Sequence, residues 1–162
     1  MLENEITINK FLVGYCHMLV DDLDDVRLAD QPVPGINHPA WILGHLTFVA
    51  HRAEVLITGG EVDLPESFVK QFGPGSKLTA NRTDYPSKID LVRMLDESHE
   101  RLQRTVAAAT PEQLSKPSQH PRTKDKLPTI NELVAFLMTG HFAVHLGQLT
   151  VWRRTIGLPA LF

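Results

Sequence analysis

Two histidines, His141 and His145, stand four residues apart in Gly140-His141-Phe142-Ala143-Val144-His145-Leu146-Gly147-Gln148-Leu149. The stretch reads as the last long helix of the chain. At about 100° of rotation per residue, i and i+4 lie on one face, one turn apart. Ile130, Val134, Leu137, His141, His145, Gln148 and Trp152 share that face. Buried polar groups need partners, so two imidazoles in an apolar stripe have two readings. They hold a metal ion together, or they are core histidines bonded separately. A zinc-peptidase reading fails, because Phe142 stands where such helices carry the catalytic Glu.

A third imidazole strengthens the metal reading. His45 lies about 40° from the centre of the apolar face formed by Ile42, Val49, Ala53 and Leu56, with Trp41 and Leu46 on its flanks. Three neutral imidazoles from two facing helices can bind a divalent transition ion and leave a coordination position open, as catalytic zinc sites do. Zinc and nickel lead the expectation, and cobalt or iron would also accept imidazole. A closed structural site would normally add a fourth protein ligand, often Cys. Cys16 is the one thiol in the chain and falls at the edge of its helical face, as a buried, inert residue.

The rest of the composition narrows the class. With 162 residues the chain is expected to form one domain, residues 1–162, around one core. Hydrophobic residues make up 43% and charged residues 22%, as in an ordinary globular protein. The net charge of −3 comes without a basic stripe, which argues against nucleic acid. The acidic N-terminus carries no signal-peptide pattern, no apolar run approaches the roughly 20 residues of a membrane helix, and a lone cysteine suits a reducing compartment. A cytoplasmic protein without a membrane partner is expected; a homodimer is compatible with it.

Four long amphipathic segments must position the histidines. The first runs from about Glu5 to Val26, with Ile8, Leu12, Tyr15, Leu19, Leu23 and Val26 inward, His17 exposed and Asp22 near the stripe. The second starts at Asn37-His38-Pro39 and ends at Gly59-Gly60. His38 sits at its tip in a capping or surface role, and His51 projects away from the site. The third spans about Ser87 to Ala109, with Leu91, Leu95, Leu102 and Val106 inward and His99 on the flank. Capping boxes at Thr110–Gln113 and Thr129–Glu132 open a short helix and the fourth long one, which Gly157 closes. The pattern predicts an all-α four-helix bundle. The long link 60–86, with a short helix at Glu66–Phe72, favours an up-down-down-up order with that link as the crossover.

Asn37-His38-Pro39-Ala40-Trp41-Ile42-Leu43-Gly44-His45-Leu46, together with the His141–Leu149 segment, resembles the DinB/YfiT-like superfamily of metalloenzymes. The resemblance implies an up-down-down-up bundle and a metal held by His45, His141 and His145. It also implies thiol-dependent S-transfer, maleylpyruvate isomerisation or metal-dependent hydrolysis, without deciding among them. A small-molecule substrate is expected, with a low-molecular-weight thiol as cofactor in the transferase case. The competing class is a non-catalytic, metal-stabilised binding module. Arg52, on the inner flank of the second helix, is a candidate contact for an anionic substrate or a surface cation. Asp22 is a candidate carboxylate for orienting a ligand imidazole, or else a solvent-facing residue.

Overall fold

The computed structural model describes residues 2–161 and contains helices α1 (Glu3–Val20), α2 (Pro39–Thr58), α3 (Glu66–Phe72), α4 (Lys88–Ala108), α5 (Pro111–Leu114), α6 (Ile130–Phe136) and α7 (Phe142–Thr155). Five residues of π-helix, Leu137–His141, join α6 to α7, so the last long helix contains a wide turn. No named strand occurs among the described residues; Pro117 and Thr129 form one isolated antiparallel bridge at the base of a loop.

Local chemistry accounts for most of the ends. Pro39 occupies the first turn of α2, where its missing N–H costs nothing, and Gly59 takes the left-handed conformation that ends it (φ 76°). Ser87 caps α4 by accepting from the Asp90 N–H. Both capping boxes form, at Thr110/Gln113 and Thr129/Glu132. The helix cap at the start of α2 is His38, which accepts from the Trp41 N–H; it is fully buried, not at the surface.

Cross-links between helices show their relative directions. Asn9 bonds Met138, and Arg153 bonds the Leu19 carbonyl, so α1 and α7 run the same way. Asn9 with His99 and His17 with Asp96 set α4 against α1. Asn37 with Gln148 sets α2 against α7, while α2 packs most extensively along α4. Leu91, Leu95, Leu102 and Val106 of α4 are all buried, each contributing about 1.5–3 kcal/mol of apolar transfer free energy.

The first helix differs from its expected form. It stops at Val20, and Asp25–Arg27 form a separate 3-10 turn. Its buried face is Asn9, Leu12, Cys16, Leu19 and Val20, whereas Ile8 and Val26 are exposed. The face is turned because a polar residue, Asn9, occupies the core and pairs there. Cys16 lies at the centre of the face, and burial pushes its thiol up to about 12, which disfavours the thiolate. Ile130–Thr155 is also long and apolar enough to cross a membrane by length and composition, contrary to the expectation from apolar runs. Here it packs as a bundle helix against α1 and α2.

Candidate metal centre

The structure brings His45, His141 and His145 together. One ring nitrogen from each lies within 4.8 Å of the others, and the ring centroids are 5.4 Å (His45–His141), 4.7 Å (His45–His145) and 4.6 Å (His141–His145) apart. This spacing brings three imidazole nitrogens near enough to one another that the three residues could hold a single divalent ion. His145 is buried, and the other two are half-buried.

The two outer rings are held in defined tautomers. His45 Nδ1 lies 2.7 Å from the Phe72 carbonyl, which can only accept, so this nitrogen carries the proton. Its Nε2 is left as a lone pair. The contact depends on a close approach between helices. A Cβ at Gly44 would lie 2.3–2.5 Å from three ring carbons of Phe72, so only glycine lets α3 settle on α2 there. The long link thus delivers a backbone carbonyl to the site, and Trp41, stacked on His45 at 4.5 Å and 10°, is tethered to it through Ser76 Oγ.

His145 Nδ1 is 3.0 Å from Gln148 Oε1, and the same oxygen accepts from Asn37 Nδ2 at 2.9 Å. This makes Nδ1 the donor and frees Nε2 of His145 as well. Asn37, at the entry to α2, acts as the outer end of this relay. His141 differs: its Nδ1 is buried and has no hydrogen-bond partner among the described residues. An imidazole with an orphaned nitrogen, clustered with two rings that each keep a free lone pair, is a donor set that fits a bound cation.

Electrostatics agree with that fit. Burial is the main cause lowering the pKa of all three rings; with a smaller contribution from neighbouring imidazoles it brings His141 to about 4 and His145 to about 3. All three rings are therefore neutral at pH 7. Among the described residues no carboxylate joins the cluster, so a divalent ion held by these three residues would retain its full charge.

The other histidines and candidates fall elsewhere. His17 bonds Asp96 at 2.7 Å and is half-buried, and His51 lies outside the triad, buried against Arg101. His99 is buried at the edge of the α4 stripe, bonded to Asn9, and is not among the three clustered histidines. Arg52 is exposed and has no polar partner among the described residues; it stands seven residues, about 10 Å, along α2 from His45.

Asp22 does not orient a ligand. Both its carboxylate oxygens bind the Arg153 guanidinium, whose side chain is only 1% exposed, and that contact holds the carboxyl below its ordinary pKa. Arg153 lies eight residues, about 12 Å, beyond His145 on the same helix. The candidate carboxylate is committed to a buried cation instead. The partners that do orient the rings, the Phe72 carbonyl and the Gln148 amide, were missed. Gln148 was visible in the sequence, on the histidine face at i+3 from His145; a backbone carbonyl has no sequence signature.

A family model described as the DinB superfamily matches residues 15–149. The chain belongs to the DinB superfamily. All three histidines fall inside the matched region. Among solved structures, the chain is similar to YfiT from Bacillus subtilis, at 18% identity and a TM-score of 0.66. The alignment covers 97% of this chain and 88% of that one. YfiT is described as a probable metal-dependent hydrolase with an unusual four-helix bundle topology, and the likeness shows a shared bundle fold. No curated protein sequence matches the chain.

Proposed function

We propose that this DinB-superfamily chain is a metal-dependent enzyme acting on a small molecule, with His45, His141 and His145 as ligands of one divalent transition ion, zinc or nickel foremost. The observation that carries the reading is the convergence of three neutral imidazoles, two of them locked with a free Nε2 pointing away from their hydrogen-bonded nitrogen. A bound ion of this kind would supply Lewis-acid activation of a water or of a thiol.

The chain's own residues supply the rest. Phe72 and Gln148 hold the donor rings, and Trp41 covers one face of His45 against solvent. Hydrolysis and thiol S-transfer both suit this arrangement. The description of YfiT supports hydrolysis; a low-molecular-weight thiol is required only for the transfer reaction. The substrate is a small molecule rather than a nucleic acid, and the setting is cytoplasmic, free of a membrane partner. A homodimer is compatible with this reading.

The test joins metal content to turnover. Purified protein should contain about one divalent ion per chain by elemental analysis, and His45→Ala and His141→Ala should contain almost none. Metal-loaded protein is screened against ester, amide and thiol-transfer substrates, with His145→Ala as the control. Turnover lost in that variant supports an enzyme. Stoichiometric metal with no turnover favours a metal-stabilised binding module, and equal metal in all variants removes the ligand assignment.

A further inference from the structure

We propose that Asn9 is a positioning residue for the histidine pair: its side-chain N–H, bonded to the Met138 carbonyl, holds the π turn that aims His141 and His145 at His45. The inference rests on the metal reading above and concerns a residue outside the region that the family model matches.

The geometry begins with the wide turn. Leu137–His141 form a π turn, and regular α-helix resumes at Phe142. A π turn inserts one residue, so everything after it is rotated by about 100° relative to the helix before it. His141 and His145 keep their ordinary four-residue spacing. Their direction relative to α6, which anchors the helix in the core through Ile130, Leu133 and Val134, depends on the inserted residue. Wide turns of this kind persist where something from outside the helix stabilises the altered ladder.

Asn9 supplies that contact. It is fully buried, the one polar residue on the otherwise apolar buried face of α1, and its Nδ2 donates to the Met138 carbonyl at 2.7 Å. A carbonyl only accepts, so the orientation of the amide is settled. Its Oδ1 then accepts from Gln103 Nε2 at 2.9 Å and from His99 Nδ1 at 3.2 Å. The His99 ring meets Phe142, the residue after His141, edge to face at 4.9 Å. Within the turn, Thr139 Oγ1 bonds the Ala135 carbonyl at 2.7 Å. A buried amide with every polar atom matched across three helices specifies one arrangement of those helices, and the arrangement it specifies contains the turn.

The test compares Asn9→Leu, which removes the donor, with Gln103→Leu, which removes a different bond to the same amide. Three quantities are measured: the affinity for Zn²⁺ by chelator competition, the visible spectrum of the Co²⁺-loaded protein, and hydrogen exchange across residues 137–142 without metal. Asn9→Leu should lower affinity by about 10–100-fold, as loss of an orienting partner does, alter the Co²⁺ spectrum and speed exchange in the turn. Gln103→Leu should leave the affinity and the spectrum as in wild type. Should Asn9→Leu fail to fold, Asn9→Ala, which removes the donor without adding bulk or charge, carries the same expectation. Unchanged affinity and spectrum in a folded Asn9 variant overturn the proposal. Wild-type protein that binds no ion overturns the metal reading itself, and the aiming role of Asn9 with it.

Discussion

The seam between α2 and α7 and the seam between α1 and α4 both bury histidine, with opposite results. At the first, His45, His141 and His145 each bring one ring nitrogen within 4.8 Å of the others. At the second, His99 gives Nδ1 to Asn9 and presses its ring against Phe142, while its Nε2 stays buried without an aligned partner. Burial keeps the rings of both seams neutral; it lowers His99 to about 4, as it does His141 with help from His45. Neutrality is therefore a consequence of burial at either place. Convergence, set by which nitrogen is tied up by a carbonyl or an amide, is what distinguishes a ligand set from a core residue.

The largest effect should separate the two seams outright. His141→Gln is expected to reduce metal content from about one ion per chain to near zero, whereas His99→Gln should keep the ion. His99 should instead be one contributor to acid stability, alongside His141 and His145 in the metal-free protein. Its folded pKa of about 4 lies below the ordinary histidine value, so the unfolded chain binds more protons between them. Its contribution is complete above about pH 6.5 and is lost as pH falls toward 4, by up to about 3 kcal/mol. Denaturant titrations of metal-free protein at pH 7 and pH 5 should show a smaller drop for His99→Gln than for wild type. Parallel drops would show that another group carries the acid sensitivity.

A second contrast sets the triad against the Asp22–Arg153 pair. Asp22→Asn leaves a buried guanidinium without its counter-charge, at a cost of about 1–3 kcal/mol. That is below the range for a fully buried pair, because the Asp22 side chain is 51% exposed. The depressed carboxyl pKa means that this stability is present at neutral pH and is lost as pH falls through the carboxylate range. Metal affinity should not change. A fall in affinity with unchanged stability would restore Asp22 to the site.

What the sequence made legible follows the range of the forces involved. Helix ends at Pro39, Gly59, Ser87 and Thr129 depend on residues within one turn, and they were readable. The meeting of His45 with His141 and His145 follows from helical period plus antiparallel neighbours. The π turn was not readable: apolar period averages over a turn and does not register a one-residue insertion. The buried face of α1 was misjudged for a related reason, since Asn9 is polar by type and core by pairing. Phe72 on Gly44 depends on a contact 28 residues away in the chain, which no local pattern carries.

The smallest expected effect lies at the outer end of the relay behind His145. Asn37 Nδ2 bonds Gln148 Oε1, and Gln148 Oε1 accepts from His145 Nδ1. Gln148→Leu removes the direct partner, for which a loss of about 10–100-fold in metal affinity is expected. Asn37→Ala removes only the group that steadies that partner. One hydrogen bond of this kind is worth about 0.5–1.5 kcal/mol, so the loss should stay near or below about tenfold. Chelator competition on both variants, with the melting point of the metal-free proteins as control, measures the two steps. A graded loss, larger at Gln148 than at Asn37, shows that His145 is held by a chain of two amides reaching across from α7 to the start of α2. If Asn37→Ala matches wild type while Gln148→Leu does not, the relay ends at Gln148, and Asn37 merely fastens the entry to α2. If Gln148→Leu also matches wild type, the tautomer of His145 is set by the ion itself, and the contrast between the two seams narrows to the Phe72 carbonyl on His45.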